Sequence, residues 1–204
     1  LVLGLVLWVF PDSSILEGGF ASLEGLFNTT PFLFMFLIPA LSMRALAEEK
    51  KEGTFELLVS KPFTDWQIIM GKYFAVLAMI VLALAPTLIY YISIYQLGTE
   101  KGNIDTGAVI GSYIGLSLLG AAFAAIGIFA SATTKNQVVA FAVAGFLSYF
   151  SYGGFDALSN ILSLQDYDWW LISLGGSEHF QSLSRGVLDS RDLIYFLSFS
   201  ALFL

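Results

Sequence analysis

Four long runs without a charged residue dominate the chain: Leu26–Met43, Tyr73–Leu97, Thr106–Thr134 and Asn136–Phe155. A helix crossing a bilayer needs about 20 predominantly apolar residues, so each run predicts a membrane span. Shorter apolar segments lie at both ends, over residues 1–10 and Leu193–Leu204. The pattern therefore predicts an all-α, polytopic membrane protein of six spans, the first and last incomplete. The expected layout is the end of a first span at 1–10, a second at about 24–43, and a polar elbow at 44–63. A third span follows at about 65–97, a fourth at 106–131 and a fifth at 136–156. Outer, re-entrant helices are expected over 157–190 and the start of a sixth span at 191–204. Residues 1–10 carry neither a basic segment nor a small-residue cleavage pattern, which argues against a signal-peptide remnant.

Glycine and proline modify this layout. Gly107, Gly111 and Gly115 recur every four residues on one helix face, a stripe that lets another backbone come close. Packing within one chain is the expected use. Pro31, Pro39 and Pro86 lie inside spans, as structural kinks or as hinges. Residues 156–192 are too polar to cross and too apolar for a plain linker. Trp169 and Trp170 suit the headgroup level, Gly186 marks a turn, and Asp189 or Ser190 is placed to cap the last helix.

Composition narrows the class. The chain is 57% hydrophobic and only 12% charged, against about 25% charged in soluble domains. Its net charge of −7 opposes nucleic-acid binding, which needs Lys and Arg against phosphate. With no cysteine and a single histidine, disulfides, thiolate chemistry and an ordinary zinc site are not expected. Arg44, Lys50, Lys51, Lys61, Lys72 and Lys135 fall on one side of the predicted spans, and Lys101, Arg185 and Arg191 on the other. The positive-inside rule then places 44–72 and Lys135 in the cytoplasm and 157–190 on the opposite, periplasmic side.

The segment "RALAEEKKEGTFELLVSKPFTDWQIIMGK", residues 44–72, concentrates charge in an otherwise apolar chain. It reads as an amphipathic helix bent at Gly53–Thr54 and followed by the turn "KPFTDW". Thr64 is a good N-cap for the next span, with Asp65 in its first turn. Trp66 and Lys72 fit the membrane interface. The apolar cluster "FELLV" would be wasted in a free loop, so the segment is expected to be a docking surface for a cytoplasmic partner.

This segment resembles the coupling-helix region of ABC-2 type transporter permeases, through Arg44, Glu48, Glu49, Lys50, Gly53, Thr54, Glu56, Leu57, Leu58, Pro62, Ile68, Gly71 and Lys72. The resemblance implies a six-helix permease fold in an inner membrane. It also implies that Arg44, Glu48, Glu49, Lys50, Gly53, Thr54, Phe55, Glu56, Leu57 and Leu58 meet an ABC ATPase subunit, with Glu48, Glu49 and Lys50 facing it and Thr54 to Leu58 in its groove. No cofactor is expected on this chain, and ATP with Mg is expected on the ATPase. Within the family the stretch "FNTTPFLFMFLIPALSMRALAEEKKEGTFELL…TDWQI", which begins at Phe27, is most similar to gliding-motility permeases of Bacteroidetes, with permeases of nitrous-oxide reductase maturation as near neighbours. That resemblance implies a second permease copy and a large auxiliary membrane subunit as partners.

No GxxxxGK[ST] run occurs in these residues, so ATP hydrolysis is assigned to a separate subunit. Few ionisable groups lie within the spans, which opposes an ion-driven carrier. Tyr90, Tyr91, Tyr95, Tyr149 and Tyr152 are interfacial anchors or line a path. An enzyme reading would use Glu178 with His179, or Asp166 and Asp168 with His179; the alternative for His179 is helix packing. A scaffold that moves no solute is a third class.

Overall fold

A computed structural model describes residues 2–8, 22–97, 104–162 and 172–204. Among them the chain is helical throughout, without a strand. The elements are α1 (Val2–Trp8), α2 (Glu24–Ser42), α3 (Ala47–Glu52), α4 (Phe55–Val59) and α5 (Asp65–Leu84). A 3-10 turn at Ala85–Thr87 leads into α6 (Leu88–Leu97), followed by α7 (Thr106–Thr133) and α8 (Gln137–Tyr149). A π turn at Phe150–Gly154 joins α8 to α9 (Phe155–Leu162), and α10 (Gly176–Ser184) and α11 (Ser190–Phe203) complete the set.

Among the described residues, four helical stretches are long and apolar enough to cross a membrane: Glu24–Glu52, Asp65–Gln96, Thr106–Thr133 and Gln137–Ser159. They cover the four uncharged runs. At seven and 14 residues, α1 and α11 are shorter than a crossing. Of the outer segment, residues 156–162 and 172–192 are described; Trp169 and Trp170 lie outside the described residues.

The bundle is built around α7. In its most apolar 18-residue window 72% of α7 is buried, against 22% for the α5–α6 stretch, so α7 is the axis and α5–α6 the periphery. It packs against α2, α5, α8, α10 and α11. Small residues make this possible, because backbones can then approach closely without a side chain between them. A Cβ at Gly120 would sit 3.1 Å from Ile80 Cγ2, and one at Gly127 would collide with the Ser42 side chain. Phe123, Leu116, Leu119, Ile126 and Ile128 fill the centre and are almost wholly buried.

Near each proline of the membrane-crossing stretches stands a hydroxyl bonded to a carbonyl of its own helix. Beside Pro31, the Thr30 hydroxyl donates to Leu26 O at 2.7 Å. Beyond Pro39, the Ser42 hydroxyl donates to Ile38 O at 2.8 Å. Pro86 lies in the 3-10 turn that divides α5 from α6, where the Thr87 hydroxyl reaches Leu84 O at 2.6 Å and stands 3.0 Å from the Tyr113 hydroxyl. Thus two prolines are absorbed within α2 and one interrupts the peripheral helix.

Candidate coupling surface

The charged segment folds as a two-helix elbow at the end of the bundle where α2 and α7 finish. The backbone turns at Met43–Leu46 and α3 begins behind Leu46, whose side chain cannot cap a helix. A helix start leaves backbone N–H groups unpaired, and a side-chain oxygen normally takes one or more of them. Here the oxygen comes from α7. Ser131 Oγ accepts from Leu46 N at 2.9 Å and Ala47 N at 3.0 Å, and donates to Met43 O at 3.1 Å. Ser131 and Ala47 are fully buried.

The exchange is reciprocal. Lys50 Nζ, in the last turn of α3, donates to the carbonyl oxygen of Ala132 at the end of α7. A cation at a helix C-terminus also meets the negative end of its dipole. The same ammonium stands 5.5 Å from the centre of the Phe55 ring, within cation–π range. On the other flank Glu49 pairs with Lys72 of α5. The acid and the ammonium are each partly exposed, so the pair orients α3 more than it stabilises it.

Gly53 ends α3 with φ of +75°, the left-handed geometry that glycine adopts without strain. Thr54 then starts α4. Leu57 of α4 is 66% exposed, Leu58 and Phe55 are half-buried, and Glu56 is exposed. Beyond α4, Thr64 and Gln67 form a reciprocal capping box at the start of α5, with Thr64 N donating to Gln67 Oε1 at 3.1 Å. Leu58, Phe63, Ile68 and Gly71 line a cleft of about 240 Å³ between α4 and α5. Exposed Leu57, Val59, Phe63 and Trp66 extend an apolar surface around it.

The residues singled out from sequence thus divide. Arg44, Gly53, Thr54, Glu56 and Leu57 are exposed, and Glu48, Phe55 and Leu58 are half-buried. Glu49 and Lys50 bond to Lys72 and Ala132 and so brace α3, while remaining, like Glu48, half-buried. Ser131 carries no local signal: it sits in "FASAT", and its partners are more than 80 positions away.

The glycine stripe also divides. A Cβ at Gly111 would strike the Leu183 carbonyl and lie 3.0 Å from Gly186 Cα, and one at Gly115 would lie 3.2 Å from both Leu183 and Phe180. The partner is therefore α10 and the turn that follows it. Gly107 meets no other helix, its nearest neighbour being the Asp105 side chain, although Gly186 packs on the backbone at Gly107 and Ala108.

His179 is buried in α10. Its Nδ1 lies 2.6 Å from Asp192 Oδ1 and its Nε2 3.0 Å from Ser173 O, while its ring stacks on Tyr195 at 4.0 Å. Both ring nitrogens face acceptors, so neither is left to serve as a base toward a substrate. Glu178 is exposed and is not its partner. Asp166 and Asp168 lie outside the described residues. The geometry is that of a packing pair joining α10 to α11.

Searches of curated proteins and of solved structures find no match. A family model described as "ABC-2 family transporter protein" matches residues 11–166, which include α2 to α8 and the whole elbow. With four stretches of membrane-crossing length, this chain belongs to the ABC-2 transporter family as a multi-pass membrane permease.

Proposed function

We propose that the chain is the membrane subunit through which a separate ABC ATPase drives export or mechanical work, and that the elbow at 44–72 is where the ATPase docks. The observation that carries this reading is the combination at α3 and α4. The α3 helix is bonded to α7 through Ser131 and Lys50 and to α5 through Glu49, while α4 offers exposed Leu57 beside an apolar cleft. A partner seated on α4 would press on two membrane helices at once. Apolar anchors in such an interface carry most of its affinity, and Leu57, Leu58, Phe63 and Trp66 supply them. The charged rim of Arg44, Glu48, Lys51 and Glu52 would select among ATPases more than hold them.

The resemblance of the stretch from Phe27 through the elbow to gliding-motility permeases supports a place in that system, with a second permease copy or a related permease and an auxiliary membrane subunit. The distribution of Lys and Arg supports a cytoplasmic elbow, and the family resemblance supports an inner membrane.

Purification of the tagged full-length protein from its native membrane in mild detergent tests this, with mass spectrometry of what co-elutes. An ATPase in near-equal amount is expected, with a large membrane subunit beside it. An intact complex lacking any ATPase overturns the docking reading, and an ATPase of a nitrous-oxide maturation cluster overturns the gliding assignment. Within that complex, Leu57→Asp should release the ATPase while the permease stays in the membrane. Binding at wild-type strength would reject α4 as the anchor.

A further inference from the structure

At the end of the bundle opposite the elbow, the starts of α2 and α7 and the end of α10 enclose a cavity of about 670 Å³. Its walls are of mixed sign. Glu24 and Asp105 bring two carboxylates, and Arg185 brings a guanidinium. Among the described residues Glu24 and Arg185 form no ion pair with each other or with Asp105. Asp105 also caps α7, its Oδ1 accepting from Ala108 N at 3.0 Å. The floor is apolar, with Phe27 5% and Val109 9% exposed.

The arginine is held in place by the backbone. Gly186, at φ of +82°, turns the chain directly after Arg185 and lies against the backbone of Gly107 and Ala108. The bare face of Gly111 admits the Leu183 carbonyl, and the Ser112 hydroxyl donates to Ser184 O at 3.4 Å. The backbone that carries Arg185 is thereby fixed at the cavity wall.

A second cavity of about 350 Å³ adjoins the first, and Asn28 and Gln181 line both. Phe32, Met35, Tyr149, Tyr152 and Phe180 make most of its other walls, and Asp156, which accepts from the Ser177 hydroxyl, adds one polar side. Phe32 and Tyr149 are more than half exposed on membrane-crossing stretches, so this cavity opens toward the apolar flank of the bundle. The π turn at Phe150–Gly154, which displaces Tyr152 and Gly153 from the α-helical course, forms part of its wall.

We infer that the paired cavities bind a zwitterionic membrane lipid, with its headgroup ammonium at Glu24 and Asp105, its phosphate at Arg185, and the start of its acyl chains in the aromatic cavity. A free anion would meet two repelling carboxylates, and a free cation would meet the guanidinium. A ligand carrying both charges a few ångströms apart satisfies all three. Arginine is also the side chain whose planar fork suits phosphate. The adjoining aromatic cavity selects an amphiphile over a soluble zwitterion. This site is separate from the elbow and stands whatever docks there.

The test is binding of short-chain lipids to the detergent-purified full-length protein, read by native mass spectrometry. The probes are dioctanoyl phosphatidylethanolamine, dioctanoyl phosphatidylglycerol and free phosphoethanolamine. The ethanolamine lipid should bind about tenfold more tightly than the glycerol lipid, the worth of one charge-assisted hydrogen bond. Arg185→Gln should weaken both lipids about tenfold, and Glu24→Gln should abolish the preference between them. Both side chains are exposed, so neither change threatens folding. Equal affinity of wild type and both variants for the ethanolamine lipid overturns the site, as does a glycerol lipid bound equally well by wild type. Free phosphoethanolamine bound as tightly as the lipid would overturn the role of the aromatic cavity. Phe32→Ser should weaken the lipid and leave free phosphoethanolamine unaffected.

Discussion

The hydroxyl of Ser131, one turn from the end of α7, takes the backbone N–H of Leu46 at 2.9 Å and so supplies the cap that α3 cannot make for itself. Removing it by Ser131→Ala leaves two buried N–H groups and the Met43 carbonyl without this partner. An unsatisfied buried polar group costs about 1–3 kcal/mol, so the elbow should loosen by at least that much. Spin labels on Lys51→Cys and Lys135→Cys should report a broadened distance distribution in the variant. An unchanged distribution, with an unchanged thermal midpoint in detergent, would show that Ser131 does not hold the elbow.

The contrast between two glycines gives a second prediction. Gly111→Leu drives a side chain into the Leu183 carbonyl and Gly186, both backbone and both unable to swing aside. Overpacking of this kind costs about 1–3 kcal/mol and more where backbone must move. Gly107→Ala meets only its neighbour Asp105 and should be close to neutral. Thermal midpoints of the two variants in the same detergent decide the matter; equal midpoints would reject the close approach of α10 to α7.

The buried pair of His179 and Asp192 behaves differently under single and double substitution. His179→Leu strands a buried carboxylate whose second oxygen already lacks a hydrogen-bond partner. Breaking a buried pair from one side costs about 3–5 kcal/mol, whereas replacing both partners with apolar groups is often close to neutral. The double variant His179→Leu/Asp192→Leu should therefore be more stable than either single one. Additive losses in a thermal cycle would contradict this, and loss of ATPase docking in the double variant would mean that the pair acts beyond α10 and α11.

Much of the architecture is legible from charge spacing, because a membrane permits few places for an ionised group. The uncharged runs locate the four long helices. Gly53, Thr64, Gly186 and Asp189 mark their turns and caps through local chemistry that acts within three or four residues: Asp189 accepts from Arg191 N at 3.0 Å, and Gly53 and Gly186 both adopt positive φ. What escapes is non-local. Nothing in "FASAT" announces that Ser131 caps a helix 84 positions earlier. Glu49 and Lys50 belong to a charged run that reads as one exposed face, yet two side chains of that run find partners on different helices. The Gly111 stripe signals a close neighbour without naming it, since the spacing is the same for a helix of the bundle, a second copy or the short α10.

The burial of α7 on nearly every side, set against the single buried stripe of α5 at Tyr73, Val76, Ile80 and Leu84, has a mechanical meaning. One helix is a post and the other an arm laid along it, and α3 is pinned to both at the same end. A load applied at α4 meets a post that cannot shift without disturbing the whole interior, and an arm that slides on one seam. The arm carries its own joint at Pro86, two-thirds of the way along. On the proposed docking, a displacement at the elbow would be expected to swing α5 about that seam, with the bend at Pro86 separating it from α6, which is held to the core by Ile94.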